Sequence, residues 1–161
     1  MQPSLTRKIG FTLTRQLKAP PDLVFRAWTD PAYLVWFFNP GWPTDVETSV
    51  DLRVGGQWRQ QMIIDGTTRY ITGGIYREIV PNEKLVFSFG AIGGWPELHP
   101  DRLEDSLVST VTFTANGAGT EMALTLQMPD HMATPEALSM FNIQMRAGWG
   151  MTIDRLVGFG L

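Results

Sequence analysis

The sequence contains no cysteine, and this absence excludes several kinds of chemistry at once. Without a thiol the chain can form no disulfide, no thiolate nucleophile and no cysteine-ligated metal site. Histidine is scarce as well. His99 and His131 each stand beside a turn residue, and no HxH or HExxH spacing is present. We therefore interpret both as solvated loop side chains, and we predict no metal site and no cofactor.

Long apolar runs and blocks of like charge are absent too. No stretch approaches the roughly eighteen apolar residues of a membrane-spanning helix, and residues 1–10 lack the pattern of a signal peptide. The net charge is −3, whereas a protein that binds nucleic acid normally shows a basic face. We expect a cytoplasmic protein without nucleic-acid or membrane partners. The length of 161 residues predicts a single domain over 1–161.

Aromatic residues, by contrast, are concentrated in one short segment. Residues 28–43 read WTDPAYLVWFFNPGWP and hold six aromatic side chains. The chain also has eight Met, a residue whose adaptable side chain suits irregular apolar surfaces. The aromatic segment forms either ordinary core or part of the lining of a cavity, and the predicted architecture bears on that choice.

The order of the secondary-structure patterns predicts an α+β fold. Alternating apolar residues predict strands, and proline in a first helical turn predicts two short helices that begin near Pro21 and Pro31. A third, long helix is predicted from Thr134 onward, because apolar residues recur every three to four positions from Leu138 to Leu156. The predicted strands cover 9–18, 46–52, 57–65, 68–80, 84–89, 106–113 and 121–128.

Turn signals and one pair of glycines shape the predicted sheet. Asp65-Gly66 and Asn116-Gly117 predict tight hairpins, and Gly73-Gly74 within a long strand predicts a bulge or bend. The long helix can bury its apolar face only against the concave side of a curved sheet. Such a wedge between sheet and helix tends to leave a cavity, where small-molecule sites usually lie.

Several segments, taken in order, resemble a known family. They are FTLTRQLKAPPDLVFRAWTDPAYLVWFF (11–38), VDLRVGGQWR (50–59), GGIYREIVPNEKLVFSF (73–89), VTFTANGAGTEMALTL (111–126) and GWGMTIDRLVGFGL (148–161). Together they resemble the activator-of-heat-shock-protein-ATPase homologue family of the START-like, or SRPBCC, superfamily. The resemblance implies a helix-grip fold, in which a curved antiparallel β-sheet wraps around a long C-terminal α-helix and two short helices follow strand 1. It implies no family-wide catalytic residue.

The resemblance and the apolar patterns together predict non-covalent binding of a small hydrophobic or aromatic molecule in the cavity between sheet and helix. We expect Trp28, Phe11 and Phe113 to be plain core. Gln60, Tyr70 or Arg146 could orient a polar end of the ligand. The predicted ligand-binding residues are Trp36, Phe37, Trp58, Gln60, Met62, Tyr70, Phe89, Phe141, Met145 and Trp149.

Two alternatives remain open from the sequence. The first is an enzyme of the polyketide cyclase/dehydratase or hydrolase type in the same cavity, with His99, Glu78 or Asp105 as acid or base. No catalytic motif such as GxSxG supports it. The second is a co-chaperone-like interaction module with a chaperone partner, as in some members of the superfamily. A homodimer is also possible, because Trp95-Pro96 in the long loop 90–105 could serve an interface.

Overall fold

The computed structural model describes residues 9–36, 48–63, 69–91, 98–99 and 101–159, including the side chains of all of these except residues 35, 62, 63, 69 and 70. Within these residues, seven strands form one antiparallel sheet in the order β1-β7-β6-β5-β4-β3-β2. The strands are β1 (Ile9–Leu17), β2 (Ser49–Val50), β3 (Gln57–Ile63), β4 (Arg69–Val80), β5 (Lys84–Ala91), β6 (Leu107–Asn116) and β7 (Gly119–Met128).

Among the described residues, α-helices lie after β1 and at the C-terminal end. Helix α1 (Pro21–Thr29) and a 3-10 helix (Pro31–Trp36) follow β1, as the prolines predict. The C-terminal helix begins at Pro135 with α-helical turns over Pro135–Ser139, continues as a π-helix over Met140–Met145, and ends with an α-helix over Arg146–Val157. Single 3-10 turns lie at Leu103–Asp105 and Asp130–Met132.

The alternating pattern in the sequence determines which face of the sheet is buried. In β6, Leu107, Ser109, Val111 and Phe113 are buried, while the residues between them are half-buried. Strands β6 and β7 form a hairpin that closes at the pair Asn116 and Gly119, and Gly117 takes a positive φ of 61° in its turn. The Asn116-Gly117 hairpin prediction is therefore confirmed, whereas Asp65-Gly66 lies outside the described residues.

The glycine pair in β4 behaves differently from the prediction. Pairing with β5 continues without interruption from Thr72 to Tyr76, and the register shifts only between Tyr76 and Glu78. The bulge predicted at Gly73-Gly74 is therefore wrong in position. The glycines instead permit close packing: a β-carbon at Gly73 would overlap the carbonyl oxygen of Trp58, and one at Gly74 would lie 2.8 Å from Phe87 Cδ2.

The ends of two other predicted strands also differ. Of the predicted strand 46–52, the described part forms only the two residues Ser49–Val50, which pair with Arg59 and Trp58. The strand predicted to end at Phe89 continues to Ala91, because Gly90 and Ala91 pair with Gly73 and Thr72 of β4. Strand ends depend on a neighbouring strand's length, which local alternation does not report.

Local capping fixes the starts of the helices. Asp30 accepts a hydrogen bond from the Ala32 backbone N–H at 2.9 Å and pairs with Arg26 at 3.1 Å, ahead of the 3-10 helix. The Ala32 N–H, followed by Arg26, lowers the pKa of the Asp30 carboxyl below its usual value. At the C-terminal helix, the Thr134 hydroxyl accepts from the Ala137 N–H at 3.1 Å, so Thr134 is its N-cap.

The C-terminal helix packs across the concave face of the sheet, as the helix-grip prediction requires. Phe141 lies beside Phe11 of β1 with ring centroids 5.1 Å apart and ring planes tilted by 50°, and Trp149 meets Phe89 of β5 at a centroid distance of 5.0 Å. An ion pair of 2.7 Å between Arg15 and Asp154 joins the helix to β1 at the surface. The α+β helix-grip architecture is therefore confirmed. In the described part of the chain, no helix combines the length and apolarity needed to cross a membrane.

Candidate functional site

Aromatic rings occupy the interior between the sheet, the short helices and the C-terminal helix. Each of these rings lies beside at least one other, and all are 5% exposed or less. Trp28 contacts Trp36 at a centroid distance of 5.0 Å, and it stacks on Trp149 at 6.3 Å. Trp58 meets Phe87 at 5.5 Å and Phe89 at 6.5 Å. We call this group the interior aromatic cluster: Trp28, Trp36, Trp58, Phe87, Phe89 and Trp149.

Polar contacts of the backbone hold the 3-10 helix against this cluster. The Trp36 indole N–H donates to the Ala27 carbonyl oxygen at 2.9 Å, which locks the ring to α1. Arg155 of the C-terminal helix donates from Nε to the Trp36 carbonyl oxygen at 2.9 Å. Burial lowers the pKa of the Arg155 guanidinium, because the surroundings disfavour its charge. The 3-10 helix is thereby tied to both helices that flank the interior.

The structure brings most of the predicted ligand-binding residues to this interior. Trp36, Trp58, Phe89 and Trp149 belong to the interior aromatic cluster, and Phe141 is fully buried beside Phe11. Met145 is half-buried and packs against the core. Met62 and Tyr70 are paired in the β3–β4 register, two residues beyond the pair formed by Gln60 and Thr72, while Phe37 lies outside the described residues. Contact of these residues with a ligand stays a prediction.

Residues that we expected to be plain core are placed as expected. Phe11, Trp28 and Phe113 are 6%, 3% and 4% exposed. Trp28 also donates its indole N–H to the sulfur of Met122 at 3.2 Å. In this region the core and the predicted site form one continuous set of buried rings.

Gln60 is the polar residue at the centre of the site. Its side chain is 1% exposed, and its Nε2 donates to the Leu34 carbonyl oxygen at 2.9 Å. The carbonyl acceptor fixes the orientation of the amide, because the opposite orientation would place two oxygens against each other. The remaining oxygen, Oε1, is buried and has no hydrogen-bond partner among the described residues. Within the described residues, Gln60 therefore presents a free acceptor in the interior.

Tyr76 is an interior polar residue that the sequence analysis missed, and Ser109 is a second buried polar residue on the inward face of β6. Each is buried, and each hydroxyl lacks a hydrogen-bond partner within the described ranges. Tyr76 lies two residues beyond Gly74 and four beyond Thr72, so strand alternation alone places it on the concave face. Burial, and secondarily the charge of Asp51, raises the pKa of the Tyr76 phenol well above its usual value.

Replacing Tyr76 by phenylalanine is expected to stabilise the ligand-free protein by about 1 kcal/mol, because a buried hydroxyl without a partner is removed. The raised pKa also predicts a pH effect. The unfolded chain releases the phenol proton more readily than the folded one, so the free energy of unfolding of the wild type is unaffected by this group below the unfolded-state pKa of about 10. It falls as the pH rises from there through the folded-state pKa. Urea denaturation at neutral pH and above pH ~10 measures both effects. Lower stability of Tyr76→Phe at neutral pH would contradict the assignment.

The side chains considered for catalysis lie at the surface. Glu78 is exposed and pairs with Lys84 at 3.4 Å. Asp105 is hydrogen-bonded by Arg102 and by His131 Nε2, the latter at 2.6 Å. Arg102, followed by His131, lowers the pKa of the Asp105 carboxyl. His131 is thus an exposed residue with a carboxylate partner rather than a freely solvated one, and His99 is half-buried.

One further expectation has a clear outcome. Arg146, considered for a ligand's polar end, is exposed, and its guanidinium stands 5.4 Å above the Phe11 ring at the surface. It is therefore not an interior ligand partner in this structure. Among the described residues, no group of three or more His, Asp or Glu side chains could hold a metal ion. Trp95-Pro96, considered for an interface, lies outside the described residues.

Comparison with known proteins places these features in context. A family model described as Activator of Hsp90 ATPase homolog 1-like protein matches residues 18–159. No curated protein matches the chain. A solved structure from Chromobacterium violaceum is similar, with 25% identity, a TM-score of 0.69, and coverage of 93% of this chain and 95% of that one.

Two other solved structures support the same fold. A Rhizobium leguminosarum protein has 26% identity and a TM-score of 0.69, with coverage of 95% of this chain and 94% of that one. A Nitrosomonas europaea protein has 21% identity and a TM-score of 0.72, with coverage of 96% and 95%. At this level of identity, the last similarity concerns the fold alone.

Proposed function

Because this chain belongs to the Activator of Hsp90 ATPase homolog 1-like family, we propose that it binds a small, largely apolar or aromatic molecule between the sheet and the C-terminal helix. Binding is non-covalent in this proposal. The family has general ligand-binding character, and the interior aromatic cluster offers ring faces and edges for stacking. We therefore propose both where the ligand binds and which chemical groups it carries.

The free acceptor of Gln60 carries this proposal. An oxygen buried without a donor costs free energy of about 1–3 kcal/mol, so its retention needs a reason. A ligand O–H or N–H group that donates to Gln60 Oε1 would supply that reason, since Nε2 is already engaged by Leu34. The ligand would then be an aromatic or apolar body with one hydrogen-bond donor, held between rings such as Trp58 and Trp149.

A pair of matched ligands tests the role of the donor. We expect 2-naphthol to bind saturably, with a change in tryptophan fluorescence and a raised melting temperature. Its methyl ether, 2-methoxynaphthalene, has the same ring system without the donor, and we expect it to bind about tenfold more weakly. The ratio of the two dissociation constants measures how much the hydrogen bond adds to binding, because the naphthalene ring contributes about equally to both constants.

The variant Gln60→Met should bring this ratio close to one, because methionine fills a similar volume without offering an amide oxygen. The matched control is Gln127→Met, since Gln127 is half-buried on the opposite face of β7; it should keep the wild-type ratio. An unchanged ratio in Gln60→Met would exclude Gln60 as the acceptor. Absence of saturable binding by any aromatic ligand in a broad panel would count against the function itself.

The two alternatives explain the interior less well. An enzyme would need an acid or base in the cavity, but the described carboxylates of Glu78 and Asp105 are engaged at the surface. A chaperone contact would use the outer surface, and it would not explain why Gln60 Oε1 is buried without a donor. If the purified protein stimulated a chaperone ATPase and bound none of the ligand panel, the interaction module would replace the ligand-binding proposal.

A further inference from the structure

The convex face of the sheet has a gap in its side chains at the centre of three strands. Alternation along β3 places Gln57 and Arg59 on this face, opposite Trp58 and Gln60. In register, Arg59 of β3 pairs with Gly73 of β4, and Gly73 pairs with Gly90 of β5. Two neighbouring positions of this row therefore carry no side chain, and the row ends at a cationic one.

Neighbouring atoms fill the β-carbon positions of both glycines, and a pocket lies beside them. Leu98 lies over Gly90: its N–H donates to the Ala91 carbonyl oxygen at 3.2 Å, and a β-carbon at Gly90 would lie 2.8 Å from Leu98 Cβ. This pocket has a volume of about 130 Å³. Its lining includes Gln57, Arg59, Ile71, Gly73, Gly90 and Leu98.

The size of the pocket limits its occupant to a very small molecule. The pocket is smaller than the sites of drug-sized ligands, which have volumes of about 300–1,000 Å³. Trp58 of the interior aromatic cluster also lines the pocket, while Gln57 and Arg59 alternate to the convex face of the sheet.

The positive charge of Arg59 at the edge of the pocket favours an anionic ligand. Arg59 is exposed, and in the described part of the chain no ion pair or hydrogen bond engages its guanidinium. A guanidinium binds carboxylates with two parallel hydrogen bonds. The rest of the pocket offers the apolar side chains of Ile71 and Leu98 above bare glycine backbone, and an inorganic anion would gain nothing from those walls.

We propose that this convex-face pocket binds a short-chain monocarboxylate of the size of butyrate. The carboxylate pairs with Arg59, with the Gln57 amide as a second donor at the rim. The aliphatic tail contacts the side chains of Ile71 and Leu98 beside the glycine backbone. Arg59, which holds the carboxylate in this proposal, lies on the face of the sheet opposite Gln60, the polar residue of the interior site.

Two-dimensional NMR of the full chain during a butyrate titration tests this site. We expect saturable shifts of the backbone amides of Gly73, Gly90 and Leu98, with a dissociation constant in the millimolar range for so few atoms. Phosphate and 1-butanol, at the same concentrations, should produce no saturable shift. Arg59→Gln should weaken butyrate binding by at least about tenfold, because a charge-assisted contact is lost.

Arg77→Gln is the matched control, since Arg77 is an exposed arginine on β4 that does not line the pocket. It should bind butyrate as the wild type does. Dispersed spectra of both variants establish that they are folded before the comparison is made. The proposal is overturned by wild-type affinity in Arg59→Gln, by equal binding of 1-butanol or phosphate, or by the absence of saturable shifts with butyrate.

Discussion

Replacing Trp149 by alanine is expected to lower the free energy of unfolding by about 3–5 kcal/mol. Trp149 is 1% exposed, and its indole lies between Trp28 of α1 and Phe89 of β5. Truncation removes the contacts that join the C-terminal helix to both elements, and it leaves a cavity that fixed neighbouring rings can fill only in part. A loss of this size is a large fraction of the roughly 5–15 kcal/mol that stabilises a typical domain.

Urea denaturation followed by circular dichroism measures this loss as a lower midpoint at an unchanged slope. Met151→Ala is the matched control on the same helix, because Met151 is 66% exposed. Its effect should stay within about 0.5 kcal/mol. Equal effects of the two substitutions would mean that the helix does not depend on the interior aromatic cluster for its attachment to the sheet.

This attachment explains how far the sequence predicts the fold. The alternation in β6 gives the sheet one apolar face that must be covered. The three-to-four-residue recurrence from Leu138 to Leu156 gives the helix one apolar face that must pack against another surface. Together they imply a sheet around a helix. The same periodicity does not distinguish the π-helix at Met140–Met145 from an α-helix, because the four-residue step from Phe141 to Met145 is close to one full turn in either helix. The fold was therefore predictable, and this irregularity was not.

The candidate site was predictable only in part, for a related reason. Strand parity places Gln60 on the concave face, and it places Tyr76 there equally well through Thr72 and Gly74. The bond from Gln60 to the Leu34 carbonyl oxygen joins residues 26 positions apart, and local pattern carries no information about it. Yet this bond decides which amide atom is free. The chemistry of the site depends on tertiary pairing, which the sequence specifies only through the fold.

The glycine pair of β4 leads to the second large expected effect. Gly73→Ala should lower the free energy of unfolding by about 3 kcal/mol. A β-carbon at this position would overlap the carbonyl oxygen of Trp58, so β3 and β4 could not keep their present separation. Alanine also restricts the unfolded chain, which stabilises a protein by about 0.4–1 kcal/mol where the native backbone is compatible. The overlap with backbone atoms outweighs that gain, because no side-chain rotation can relieve it.

Gly148→Ala provides the opposite case within the same protein. Gly148 lies in the C-terminal helix, and a β-carbon there would meet no atom within 4 Å. Since alanine is favoured over glycine in a helix interior, this substitution should stabilise the protein by about 0.5–1 kcal/mol. Parallel urea denaturation of the two variants should therefore show shifts of opposite sign. A stability of Gly73→Ala equal to that of the wild type would mean that the two strands can separate at little cost, and the close approach at Gly73 would then not be a requirement of the sheet.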